Sequence, residues 1–286
     1  MELEELVRRI QKTELLSLNM SQQKLAGAFN SMFKGRGLAL NSVRKYEYGD
    51  DVRDINWHVT ARFRDTYINT FTEERERLIW LMIDISGSAS FGPSKPSRFE
   101  QQIELAATLA FSAVSNSDRI GLIFFNDKIQ RVLEPGRGMT AFWRIAKELV
   151  DAKCAGKTDI NHAISFFMNV SRKSSVVFLL SDFLSSGYGP ALRMLTQNHE
   201  LFTIQIAHDL EKEFPDLGWF KMVDSESSLS KWVNSGSKKD SDRLKTPLKR
   251  ATEYLESSLQ GTTASCLNLS TSDDPILSLV KFMNGQ

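Results

Sequence analysis

Cysteine and histidine are scarce, with two of the first and four of the second in 286 residues. Cys154 and Cys266 lie far apart with no CxxC between them. That excludes a disulfide framework and a thiolate zinc site, suits a reducing compartment, and leaves both as small packing residues. His58, His162, His199 and His208 show no metal spacing of the HExxH kind. Charge of one sign is lacking too: 36 Lys and Arg against 35 Asp and Glu leave a net +1, which gives no footprint for nucleic acid or an anionic membrane. Long apolar runs are absent, since Leu78 to Ile83 and Val176 to Leu180 fall far short of a bilayer span. The opening residues, Met1 to Leu6, are acidic where a secretory signal would be basic. The expectation is a cytoplasmic chain with no membrane insertion and no nucleic-acid partner. At 41% hydrophobic it can bury one large core, or one core with a modest appendage.

What is present is a pattern. Leu3, Leu6, Val7, Ile10, Leu15 and Leu16 are spaced as the apolar face of one amphipathic helix over Glu2 to Leu18. From Asn19 to about Arg64 periodicity is lost, and this stretch is read as an irregular segment held by side-chain contacts. After Thr66 a regular alternation begins. The strands are "YINTF", Leu78 to Asp84, "RIGLIFF", "IQRVLEP", "SSVVFLLSD", "ELFTIQIA" and "ASCLNL". The helices are "RFEQQIELAATLAFSAV", "AFWRIAKELV", "INHAISFFMNV", "GPALRMLTQN", a charged one from about Ser241 to Leu259, and a closing one from Pro275. Leu217 to Lys239 reads as a hairpin leading to a surface loop. Strands with near-continuous apolar runs, alternating with helices, call for a parallel sheet covered on both faces. The fold class is therefore α/β, a doubly wound, mostly parallel sheet of Rossmann type. Residues 1–66 form an N-terminal helix and irregular extension, and residues 67–286 form the sheet domain.

One apolar run stops abruptly at an acid: "LIWLMIDISGSASFG", Leu78 to Gly92. In a doubly wound sheet, ligands sit outside the carboxyl ends of strands, where Asp84 falls. Asp84, Ser86 and Ser88 offer one carboxylate and two hydroxyls at alternate residues, and a tight turn at Gly87 can converge them. Hard oxygens of this kind suit Mg2+ or another divalent cation. Thr158 in "AGKTDI" and Asp182 in "LLSDF" supply two more oxygens at loops on the same edge. Alternatively the triplet caps the next helix and satisfies turn amides. Asp159 reads as the N-cap of its helix rather than a ligand.

The order Asp84, Ser86, Ser88, Thr158, Asp182 resembles the metal-ion-dependent adhesion site of von Willebrand factor A domains. A departure is Phe183, where many such domains have glycine. Upstream, "RKYEYGDDVRDINWHVTARFRDTYINTFTEERE", the D-x-S-x-S stretch with "FG" behind it and "SDRIGLIFFNDKI" resemble the DUF 58 family, over about Leu15 to at least Leu201. Asn56 stands before Trp57 where that family has an aspartate. Residues 67–286 are then expected to be von Willebrand A-like. Physically, Asp50, Asp51, Arg53, Asp54, Trp57, Arg62 and Arg64 form a dense set of opposite charges around an aromatic ring, able to clamp an irregular segment by charge-assisted hydrogen bonds. His58 beside Trp57 reads as a packed or surface histidine.

Enzyme patterns are incomplete. A haloacid-dehalogenase-type phosphatase needs a second acid where Ser86 stands, and a serine elbow needs a glycine where Ser88 stands. "GRGMTA", Gly136 to Ala141, matches a loose dinucleotide pattern but reads better as a loop entering a helix. The expectation is a non-enzymatic binding module. Its mostly neutral ligands leave the cation residual positive charge, and an acidic side chain from a protein partner takes the open position. The family resemblance implies a MoxR-type AAA+ ATPase as partner, in a chaperone-like role. The alternatives are a metal-dependent phosphoester or ester hydrolase, and a vestigial site with contacts made instead around Arg53.

Overall fold

A computed structural model describes residues 42–48, 50, 52, 55–63, 65–70, 76–90, 96–212, 218–223, 230–234 and 237–283. The expected helix over Glu2 to Leu18 lies outside them.

The centre is a six-stranded sheet of β3 (Leu78–Asp84), β4 (Arg119–Phe125), β5 (Ile129–Gly136), β6 (Val176–Ser181), β7 (Glu200–Ala207) and β10 (Ser265–Ser270). Their order across the sheet is β10-β7-β6-β3-β4-β5. Every pairing is parallel except β4 with β5, which follows after three residues and returns along the edge. The expected doubly wound, mostly parallel sheet is present. The direction of β5 was not legible, because an alternating pattern does not say which way a strand runs.

Strand periodicity sorts the core into two layers. Ile79, Leu81 and Ile83 of β3 face α2 (Arg98–Ser115) and α3 (Gly138–Asp151), while Trp80 and Met82 face α4 (Ile160–Val170), α5 (Gly189–Asn198) and α7 (Lys238–Leu259). α8 (Pro275–Met283) closes the first layer through Leu279 and Met283. α2 starts where it does because Ser97 and Glu100 form a capping box: Glu100 N–H donates to Ser97 Oγ at 3.2 Å and Ser97 N–H to Glu100 Oε2 at 2.9 Å. Among the described residues no helix is long and apolar enough to cross a membrane.

Two smaller antiparallel ribbons stand outside this sheet. β8 (Trp219–Val223) and β9 (Ser230–Asn234) form the hairpin expected between Leu217 and Lys239. β1 (Ser42–Lys45) pairs with β2 (Tyr67–Thr70), so "YINT" joins the upstream segment rather than the main sheet, and α1 (Trp57–Phe63) lies between the two. The stretch up to Arg64 is therefore not irregular throughout. Its short elements, four and seven residues long, gave too few repeats for a period to register.

The central layer is tight at one point. Gly121 of β4 sits opposite Trp80, and a Cβ there would lie 2.8 Å from the Trp80 ring and 2.9 Å from the Leu133 carbonyl oxygen. Overpacking of this kind costs about 1–3 kcal/mol, more than the ~0.4–1 kcal/mol gained by restricting the unfolded chain. Gly121→Ala is expected to lower the urea midpoint with the slope unchanged. An unchanged midpoint would show that the Trp80 ring has room to move.

Candidate functional site

Asp84 ends β3 at the carboxyl edge, and the chain turns at once into a short 3-10 segment, Gly87–Ser90. The turn is set by backbone bonds. Ile85 N–H donates to Phe125 O at 2.8 Å, Ala155 N–H to Ile85 O at 2.9 Å, and Gly87 N–H to Gly156 O at 2.9 Å. The last two tie the Thr158 loop to the D-x-S-x-S turn. Asn126 pins that loop from below, its side-chain amide donating to Ala155 O at 2.7 Å and its carbonyl accepting Asp159 N–H at 3.0 Å. Gly156 is required: its φ is +80°, and a Cβ would meet Asn126 and Asp127 side-chain atoms at 3.0 Å.

These constraints bring the hydroxyls onto the acid. Asp84 Oδ1 accepts Ser86 N–H at 2.9 Å, and Oδ2 accepts Thr158 Oγ1–H at 3.3 Å. Ser86 Oγ and Ser88 Oγ lie 3.0 Å apart. Ser181, overlooked although it stands inside "LLSDF", donates its hydroxyl to Asp84 Oδ2 at 2.7 Å. Asp159 caps α4 as expected, accepting His162 N–H at 2.9 Å.

Asp182 is held differently. Its Oδ2 accepts Arg98 Nη1–H at 2.6 Å, its Oδ1 accepts Leu184 N–H at 3.1 Å, and its carbonyl accepts Gln205 Nε2–H at 2.9 Å. Arg98, fully buried, also donates from Nη1 to Ser88 O at 3.0 Å and from Nη2 to Glu211 on α6 (Asp209–Lys212). Nothing in the sequence pattern marked Arg98, because a charge in the first turn of a helix normally faces water. Behind Asp182, Phe183 adopts φ +56° in place of the glycine. That backbone costs about 1–2 kcal/mol, offset by burying the ring, worth about 1.5–3 kcal/mol. The ring lies edge-on to Tyr188 at 5.7 Å, so the departure at Phe183 keeps a left-handed turn.

Asp84 is 1% exposed, and burial together with the nearby Asp182 charge pushes its pKa up to about 7. The neighbouring Cys154 thiol is pushed up to about 12, by burial first and Asp84 second. Both cysteines are free and half-buried. Among the described residues no three His, Cys, Asp or Glu converge on a metal position. The candidate set is rich in hydroxyls instead: Asp84, Ser86, Ser88 and Thr158 form a hard-oxygen group, and among the described residues no cationic side chain is hydrogen-bonded to the buried Asp84 carboxylate. Its chemistry fits Mg2+.

The upstream charged set is seen only in part. Asp51, Arg53, Asp54 and Arg64 lie outside the described residues. Asp50 pairs with Arg44 at 2.6 Å, a partner not foreseen. Trp57 is 68% exposed, so no wrapped ring is found there among the described residues, and Arg62 lies exposed in the last turn of α1.

The chain is a doubly wound α/β domain with one carboxylate and several hydroxyls gathered at the carboxyl edge of its sheet. The sequence profile of the family described as "Protein of unknown function DUF58" matches residues 42–253, and the chain belongs to that family. The protein Rv1480 of Mycobacterium tuberculosis, itself described as uncharacterized, is 24% identical over 270 residues, 92% of this chain and 85% of its own. Among solved structures, BatB from Bacteroides thetaiotaomicron is similar at 12% identity and a TM-score of 0.45, covering 73% of this chain and 100% of that one. An aerotolerance-related membrane protein from Bacteroides fragilis is similar at 13% and 0.46, covering 73% and 97%.

The raised pKa has a consequence for stability. Asp84 binds its proton more tightly folded, at about 7, than unfolded, near ~4. Its contribution is fully present below ~4 and lost as pH rises through 7. In chelator, wild type is expected to lose stability relative to Asp84→Asn as pH rises from about 4 to 8, measured by urea denaturation. A pH-independent difference would refute the burial of an uncompensated charge.

Proposed function

We propose that this chain is a non-enzymatic protein-binding module whose recognition depends on a divalent cation, Mg2+ by preference. Asp84, Ser86, Ser88 and Thr158 would hold the ion, with Asp182 behind them. Bound there, it would offer a Lewis-acidic position to a carboxylate from a partner. The chain's own residues do the remaining work: the Ser86–Ser88 turn holds its two hydroxyls together 3.0 Å apart, Ser181 and Thr158 orient the Asp84 carboxylate, and Asn126 fixes the loop that carries Thr158. In keeping with the family resemblance, the partner we propose is a MoxR-type AAA+ ATPase, for which this chain serves as adaptor in a chaperone-like role within the cytoplasm.

The observation that supports the reading is the gathering of one buried carboxylate and three hydroxyls at the carboxyl edge of the sheet. A ligand that binds only the folded state must stabilise it, by about 2.7 kcal/mol at a hundred times its Kd. Magnesium is expected to raise the thermal midpoint of wild type and not of Asp84→Ala. The complex with a MoxR-type ATPase, followed by size-exclusion chromatography with light scattering, should weaken at least tenfold in chelator or in Asp84→Ala. Complex formation indifferent to both would overturn the proposal.

A further inference from the structure

Arg98 sits where the cation-dependent reading leaves least room for another positive charge. Its guanidinium joins three separate parts of the molecule: the Ser88 carbonyl in the turn after β3, the Asp182 carboxylate after β6, and Glu211 on α6 after β7. The Arg98 and Asp182 side chains are 0% and 2% exposed, so the pair is shielded from water and from salt. Asp182 Oδ2 is given over to the guanidinium and Oδ1 to the Leu184 amide. A cation approaching Asp84 therefore meets a second acid that is already neutralised, beside a fixed positive charge. Glu211 has a second tie, accepting His208 N–H at 2.9 Å, and takes Nη2 of Arg98 while Asp182 takes Nη1.

We propose that Arg98 is an internal competitor for Asp182, the residue that sets how tightly the site takes a metal. With Asp182 held by Arg98, a cation is bound by Asp84, Ser86, Ser88 and Thr158 alone, and weakly. Release of Asp182 from Arg98 adds a carboxylate to the site and strengthens binding. Glu211 provides the guanidinium with somewhere to stay: it holds Arg98 in both states, and by sharing the charge it loosens the grip on Asp182. Since Arg98 also bonds the Ser88 carbonyl, the exchange would shift the turn that presents the hydroxyls. Arg98 and Glu211 are thus positioning residues, acting through Asp182. The inference rests on the cation-dependent reading above, and a single set of titrations separates the two.

The test is calorimetric titration of Mg2+ and Mn2+ into the full chain, as wild type, Arg98→Gln, Glu211→Gln and Asp84→Asn. Arg98→Gln is expected to bind at least tenfold more tightly than wild type and Glu211→Gln several-fold more weakly, with Asp84→Asn showing no binding. Arg98→Lys keeps the charge but loses the two-pronged hold, and is expected to bind a few-fold more tightly. It carries the test if Arg98→Gln does not fold. Arg98 variants that bind as wild type does, or more weakly, would overturn the competition and make Arg98 a scaffold, with the cation-dependent reading intact. Wild type silent and Arg98→Gln binding would uphold the competition while removing magnesium dependence from the native chain. Silence in every variant would overturn both.

Discussion

The central constraint is an acid at the end of a buried strand. From Ile79 onward β3 is enclosed by β4 and β6 at its sides and by helices above and below, and it delivers Asp84 to the carboxyl edge almost without exposure. An ionised carboxylate there carries a desolvation penalty of several kcal/mol unless polar groups or a cation meet it. The loops on that edge answer this need: the Ser86 amide and the Ser181 and Thr158 hydroxyls all donate to Asp84. Hydrogen bonds orient the charge but do not cancel it. That residual demand links the fold to the proposed function.

Two neighbouring acids meet the same environment differently. Asp182 has a guanidinium at 2.6 Å and Asp84 has hydroxyls, although both lie at adjacent strand ends. The distinction follows from where the helix after β3 places its first residue. α2 begins at Ser97 with a capping box, so its first residue, Arg98, is fixed over the sheet edge and reaches Asp182 rather than water. Gln205 completes the arrangement, donating to the Asp182 carbonyl while its own oxygen accepts the Thr252 hydroxyl from α7. Helices of both layers thus contribute to holding one loop.

Much of this was legible in the sequence for a physical reason. An apolar run wholly buried on both faces, as β3 is, carries no alternation, and its termination by Asp84 marks the strand end within a residue. Ser86, Ser88, Thr158 and Asp182 could be named as oxygen donors because they stand where an apolar strand has just ended or a helix is about to begin, in loops on one edge of the sheet. Arg98 could not, since its burial depends on Asp182 and Glu211, 84 and 113 residues away. The antiparallel course of β5 and the pairing of β2 with β1 were hidden likewise, because pairing partners are settled by the whole sheet rather than by either strand. Trp57 shows the converse case: a large aromatic among charges suggests enclosure, yet the ring is exposed.

The most direct test of a cation at this edge is anomalous diffraction from crystals of the protein soaked in manganese. The account predicts a manganese peak within coordination distance of Asp84, Ser86 and Ser88, with Arg98 still in contact with Glu211. A fully ordered site with water and no anomalous signal at millimolar manganese would contradict it, leaving Asp84 as a turn residue neutralised by its own proton.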